Sequence, residues 1–182
     1  MTNKPLLVIG LGNPGKEYES TYHNAGTLFV DYFLGKISSE SREKNPAWKE
    51  KSGTFSYTKA DGIIFVKPLV FMNDSGKAVK SAMNYFKTLP EQILVVHDDS
   101  DIAAGEYKFS LERGSAGHRG VESTIKFLGG KNFWRLRIGV RNKKNAGAKR
   151  IKASDLVLKK ITKSDMEAIK KTFEEVSKTW LS

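Results

Sequence analysis

The chain contains no cysteine, which excludes a disulfide scaffold, a zinc–thiolate centre and a cysteine nucleophile. It holds no apolar run approaching ~18 residues, so no membrane-spanning helix is read from it. No charged and then apolar leader is seen, so no secretory signal is expected. A cytoplasmic protein fits these absences, and an organelle matrix fits them too. Acidic residues are scarce beside basic ones: 20 Asp and Glu against 31 Lys and Arg leave a formal charge of +11 and a pI near 9.7. That sign favours a polyanionic partner, nucleic acid first. The excess gathers between Lys143 and Lys171, and the first forty residues hold nothing similar. A chain of 182 residues buries a core without metal or disulfide help, so one domain spanning 1–182 is expected.

What is present begins with Leu6 to Gly26, LLVIGLGNPGKEYESTYHNAG. Leu6 to Ile9 read as a short buried strand running into a turn at Gly10. Gly10, Gly12 and Gly15 satisfy GxGxxG, but a dinucleotide site needs a helix opening inside the motif and an acidic residue about 20 positions on. Pro14 removes an amide that would face a phosphate, and no second strand follows at that spacing. Gly10 to Lys16 also reads GxxxxGK, yet Glu17 stands where a Ser or Thr must meet magnesium. What remains is a turn with polar side chains at a strand's carboxyl end, then His23 and Asn24. Asn24 is read as N-cap of a helix over 25–35, whose Leu28, Phe29, Tyr32 and Phe33 recur at helical spacing.

Farther along, 38–52 reads as a surface loop and Ala60-Asp61-Gly62 as the turn of a hairpin between 55–58 and 62–67. Asn73 opens a helix capped by Asp74 or Ser75, with Val79, Met83 and Phe86 on its apolar face. A buried strand over 93–96 ends at His97-Asp98-Asp99-Ser100-Asp101. After an alternating strand over 105–111, the small-residue loop Gly114 to Gly120 brings backbone close to a ligand and feeds a helix over 121–128. Phe133 to Val140 closes the sheet with Arg135 and Arg137 on one face. The basic stretch 141–154 has no core pattern and reads as a mobile loop. A docked amphipathic helix spans 163–181, with a capping signal at Ser164 to Glu167. The pattern predicts an α/β fold, a single-domain three-layer sandwich whose mixed, mostly parallel central sheet is flanked by helices.

Strand ends in such a sheet face one crevice, so Asn13 and His23, Asn73, Asp98, and His118 with Arg119 can converge. A neutral imidazole takes a proton from water when a carboxylate fixes its other nitrogen, and Asn amides stabilise an oxyanion. With no cysteine and no GxSxG elbow, attack by activated water is favoured over a covalent route. A metal site is the rival, because His97, Asp98, Asp99 and Asp101 form an oxygen-rich cluster, though it matches neither an EF-hand nor HExxH.

GLGNPGKEYESTYHNAG, KPLVFMNDSGKAV, HDDSDIAAG, GSAGHRG and FWRLRIGV, in this order and spacing, resemble the bacterial-type peptidyl-tRNA hydrolases. The resemblance runs from about Leu6 to Val140 and more weakly through the terminal helix. It implies cleavage of the ester between a peptide and tRNA, without metal or cofactor, by a monomer that takes the acceptor stem and peptide end of its substrate. It implies His23 as general base, Asp98 as the carboxylate that orients it, and Asn73 as the carboxamide that positions water or the oxyanion. Asn13 is implied to hold the peptide end, with Tyr18, Phe71, Met72, Gly117, His118 and Arg119 around the substrate. Lys108, Arg113 and Arg137 are implied to share the grip on the tRNA 5′-phosphate. The chain departs from the family pattern at Tyr22, where Arg is usual, at Val70-Phe71 in place of Thr-Tyr, at Ser110 in place of a basic residue, and at Arg119 in place of Asn. Those departures leave an alternative, a non-catalytic RNA-binding module similar to the chloroplast intron-splicing factors of this fold.

Overall fold

The computed structural model describes residues 6–41, 46–142 and 157–181. Seven strands form one sheet: β1 (Leu7–Gly10), β2 (Lys49–Lys51), β3 (Phe55–Ala60), β4 (Ile63–Pro68), β5 (Ile93–Ala103), β6 (Tyr107–Leu111) and β7 (Trp134–Arg141). Their spatial order is β2-β3-β4-β1-β5-β7-β6. β4, β1, β5 and β7 are parallel; the antiparallel β2, β3 and β6 finish the two edges. Helices α1 (Ala25–Ser41) and α4 (Lys163–Leu181) cover one face, and α2 (Ser75–Phe86) and α3 (Arg119–Leu128) cover the other. The result is the expected three-layer sandwich.

Two-sided coverage explains why the central strands read as unbroken apolar runs. Val8, Phe65, Leu94 and Val96 pack toward α1 and α4 against Phe29, Phe33 and Phe173. Their neighbours Leu7, Ile9, Val66, Ile93 and Val95 pack toward α2 and α3 with Val79 and Val121. The β3–β4 hairpin turns on Asp61 and Gly62, both with positive φ (49° and 72°), as a two-residue turn that follows the strand twist requires.

Several boundaries differ from the sequence expectations. α1 runs through Gly35 to Ser41, and Lys49–Lys51 forms an edge strand, so 38–52 is not one loop. β2 has no apolar pattern because it pairs only with β3 and all three residues are exposed. β5 continues through the polar 97–101 run to Ala103, held by parallel pairing of His97, Asp98 and Asp99 with Arg137, Ile138 and Gly139. α3 starts at Arg119, two residues earlier than expected. Asp74 stands at the N-cap of α2 without a side-chain cap bond. At α4 the cap comes from Thr162, whose Oγ1 accepts from the Asp165 N–H at 3.2 Å. Of the basic stretch, Arg141 ends β7 and 143–154 lie outside the described residues.

Candidate active site

The carboxyl ends of β1, β4 and β5 carry the polar side chains. After β1 the chain passes Asn13, makes a 3-10 turn at Tyr22–Asn24 and enters α1. That return is tight, since a Cβ on Gly10 would collide with the Gly26 carbonyl and one on Gly26 with the Val96 carbonyl. Strand and helix backbones touch there, and only glycine permits it. After β4, Phe71 precedes a second 3-10 turn, Met72–Asp74. β5 supplies Asp98, and His118 caps α3.

These segments enclose a cavity of about 440 Å³. Asn13, Tyr18, His23, Phe71, Met72, Asn73, Asp98, Gly117, His118 and Arg119 all line it. Asp99, Ser100, Ser115, Ala116, Val157 and Leu158 line it too. Among these, Val157 and Leu158 carried no motif that would have singled them out. Lys108, Arg113 and Arg137 are not in the lining.

One carboxylate oxygen organises the centre. Asp98 Oδ1 lies 2.8 Å from His23 Nδ1 and 2.9 Å from His118 Nε2. His118 Nδ1 accepts the Val121 N–H at 3.3 Å, so its proton sits on Nε2 and is donated to Asp98. Since Asp98 accepts from both rings, His23 donates from Nδ1, and its Nε2 keeps a lone pair on a residue that lines the cavity. Burial alone would raise the Asp98 carboxyl, but His118 and His23, through charge and hydrogen bonds, outweigh it and hold the group well below the usual carboxylate range. The His118 ring also lies 4.7 Å from both the His23 and His97 rings. Complete burial, then the neighbouring His118, push the His97 imidazole well below the usual histidine range. His97 Nδ1 bonds the Asp98 carbonyl at 2.7 Å, and its buried Nε2 has no partner among the described residues.

Asn24 does not cap α1. Its Oδ1 accepts the Asn13 N–H at 2.9 Å and its Nδ2 donates to the Asn13 carbonyl at 3.0 Å. Asn13 Oδ1 in turn accepts the Met72 N–H at 2.8 Å, tying the β1 loop to the β4 loop and leaving the Asn13 amide NH₂ for a ligand. Asn73 is exposed at the cavity.

The rival metal cluster is not assembled. Asp99 is held by Arg137, Nε to Oδ2 at 2.8 Å, and by the Asp101 N–H at 2.9 Å. Among the described residues the grouping with ligand-like spacing is His23, Asp98 and His118, atoms within 4.8 Å. An ion there would have to displace both imidazole–carboxylate bonds. Arg119 makes no ion pair with Asp98 or Asp99 among the described residues; it stands exposed on the first turn of α3.

On the β6–β7 edge, Lys108 lies directly opposite Arg137, a like-charge pairing that is unfavourable without an anion. Asp99 supplies one. Arg135, two residues along, is buried and donates to the Gly114 carbonyl at 3.1 Å; burial first, then Arg137, pulls its guanidinium down to about 10. Lys108 and Arg113 are exposed.

The model of the peptidyl-tRNA hydrolase family matches residues 7–181. The chain belongs to that family. A peptidyl-tRNA hydrolase of Mycoplasma capricolum is 38% identical over 174 residues, 94% of this chain and 88% of that one. One from Aquifex aeolicus is 44% identical over 136 residues, 74% of this chain and 68% of that one. The crystal structure of the Acinetobacter baumannii peptidyl-tRNA hydrolase superposes with a TM-score of 0.82 at 29% identity, covering 99% of this chain and 88% of that one. The chain is thus a hydrolase by family, and the non-catalytic alternative finds no support among these relatives. No helix among the described residues is long and apolar enough to cross a membrane.

In this hydrolase Tyr22 donates from its hydroxyl to the buried Asp165 at 2.6 Å. Asp165 also accepts from Asn142 Nδ2 at 3.2 and 3.3 Å. The residue preceding His23 is therefore anchored to the first turn of α4.

Proposed function

We propose that this hydrolase cleaves the ester joining a peptide, or an N-acylated amino acid, to tRNA, with His23 as general base. The observation that carries the assignment is the His23 Nδ1 to Asp98 Oδ1 bond of 2.8 Å between two buried side chains, which leaves Nε2 as the basic nitrogen. Nε2 takes a proton from water as the water oxygen attacks the ester carbonyl. The amides of Asn73 and Asn13 hold the oxyanion and the peptide end, in a cavity where few water dipoles compete. On collapse the C–O bond to the terminal ribose breaks and the imidazolium returns its proton to the leaving oxygen. Asp98 stabilises that imidazolium. Tyr18 and Phe71, whose rings meet edge to face at 6.1 Å, and Met72 form an apolar wall for the peptide. Gly117, His118 and Arg119 form the opposite rim.

Lys108 and Arg113, exposed on the β6 edge, and Arg137 beside Asp99 grip the 5′-phosphate of the tRNA. The chain works as a single domain and a monomer in the cytoplasm, and the donor set around Asp98, already satisfied by hydrogen bonds, requires no metal. The test is His23→Ala, assayed on an N-acetyl-aminoacyl-tRNA with the free aminoacyl-tRNA as control. The expected result is a kcat at least ~100-fold lower with tRNA affinity unchanged. Activity retained within a few-fold would remove His23 from the role of base.

A further inference from the structure

The opposite edge of the sheet carries a second basic surface that the hydrolytic site does not use. Register places its residues on one face. Lys49 pairs with Tyr57 and Lys51 with Phe55 across β2 and β3, and side chains two apart on a strand share a face. Lys49, Lys51, Phe55, Tyr57 and Lys59 therefore all face the α2 side. The end of α2 adds Tyr85, whose ring centroid lies 5.8 Å from that of Tyr57. The Tyr57 and Tyr85 hydroxyls are 3.5 Å apart. Lys51 Nζ lies over the Tyr85 ring at 4.7 Å and Lys59 Nζ over the Phe86 ring at 5.8 Å. The three lysines are exposed, Tyr85 is 44% exposed, and none of the lysines forms an ion pair among the described residues. Glu50, between two of them, faces the other side by alternation.

Such a surface has the makings of a polyanion site. Lys49 and Lys51 leave β2 about 7 Å apart along the backbone, two residues on, with Lys59 on the neighbouring strand, a row of cations that suits a repeating phosphate chain better than a single carboxylate. Aromatic rings interleaved with them offer stacking platforms for bases. Lysines parked over ring faces keep their charge available at little desolvation cost. Tyr85 is drawn below the usual tyrosine range, first by its bond to Tyr57 and then by Lys51, Lys59 and Lys49, which agrees with the three charges converging there.

Position distinguishes this surface from the substrate's phosphate grip. β2 and β6 are the two outermost of seven strands, six spacings or roughly 29 Å apart, with the cavity between them. We infer that the β2–β3 edge and the end of α2 bind the backbone and bases of an RNA strand other than the acceptor end engaged at the cavity. Tyr57, Tyr85, Lys49, Lys51 and Lys59 carry that contact.

The probe is a non-acylated single-stranded 20-mer RNA, followed by fluorescence anisotropy over a salt series, with substrate turnover measured in parallel. In Lys49→Glu/Lys51→Glu/Lys59→Glu the slope of log affinity against log salt should fall by about 2, three contacts at roughly 0.7 each. Tyr85→Ala should weaken binding about tenfold through lost stacking, with the salt slope kept. Both variants should hydrolyse N-acetyl-aminoacyl-tRNA with kcat/KM within twofold of wild type. Unchanged RNA affinity and slope in the triple variant would overturn the inference. A rise in KM matching the loss of RNA affinity would also overturn it, by assigning the patch to the substrate itself. Equal displacement of the RNA by polyglutamate would do so as well, by reducing the patch to nonspecific charge.

Discussion

Replacing Asp98 by Asn isolates the charge at the centre of the site from its geometry. The carboxamide has nearly the shape of the carboxylate, and its Oδ1 can still accept from His23 Nδ1 and His118 Nε2, the bonds of 2.8 and 2.9 Å that now converge on one oxygen. What disappears is the negative charge facing the imidazole at the moment it becomes cationic. A hydrogen bond to a charged partner contributes about 1.5–3 kcal/mol against roughly 0.5–1.5 for a neutral one. The transition state keeps the neutral bond and therefore loses about 1–1.5 kcal/mol, the difference between the two ranges. At 1.36 kcal/mol per decade this is roughly a 5- to 13-fold fall in kcat. KM should stay within about twofold, because the ground state contains a neutral His23. The acid limb of the kcat profile should also change, since the carboxylate that faces the base is gone. In the native protein the limb does not report Asp98 itself, whose folded-state acidity is far stronger than that of a free carboxyl. Kinetics on N-acetyl-aminoacyl-tRNA from pH 5 to 9 test the point. An unchanged kcat and pH profile, or a loss confined to KM, would refute the assignment of Asp98 as partner of the base.

Arg119→Asn should change KM with little change in kcat, because Arg119 pairs with neither Asp98 nor Asp99 among the described residues and its proposed partner is bound substrate; a large rise in kcat would show otherwise. Tyr22→Phe should lower stability by about 1.5 kcal/mol, the low end for a bond to a carboxylate because Asn142 still serves Asp165, and Tm by about 3–6 °C. Burial first, then the bond to Asp165, raises the pKa of Tyr22 above the usual tyrosine value. That contribution is complete below pH ~10 and shrinks as pH rises through the folded-state value, so denaturant melts of wild type and variant should converge at high pH; a constant gap would count against the bond. Exhaustive chelation should leave turnover unchanged, and activity lost on chelation and restored by one divalent ion would place that ion at His23, Asp98 and His118.

Local chemistry was legible where it acts locally. Asp61-Gly62 announced its turn because both residues adopt positive φ with little strain, and Met166, Ile169, Phe173 and Val176 outlined α4 through their period. The family motifs carry Asn13, Tyr18, His23, Met72, Asn73 and Asp98, all of which line the cavity. The extension of β5 was illegible, since His97, Asp98 and Asp99 look like loop residues and become strand only through pairing with a segment some forty residues later. Asn24 invited reading as a cap, a role set by the adjacent helix, whereas its partner is the Asn13 backbone across the loop. His118 could be assigned to the cavity but not to Asp98 Oδ1, because which oxygen a histidine shares depends on how α3 docks. Tyr22 and Asp165 are 143 residues apart, and no spacing rule connects them.

The contact of Gly10 with Gly26 makes residues 11–25 a loop whose two ends meet, with Asn13 near the strand end and His23 near the helix end, and Asn24 clamping the backbone of Asn13 across it. Extra residues inserted at the exposed tip, between Pro14 and Glu17, would lengthen the rim without moving either anchor. Loop closure is forgiving of such growth, about 0.6 kcal/mol for each doubling of length. Rim and reaction centre are thus separable by descent: one can be rebuilt for new peptide ends while the other is inherited intact.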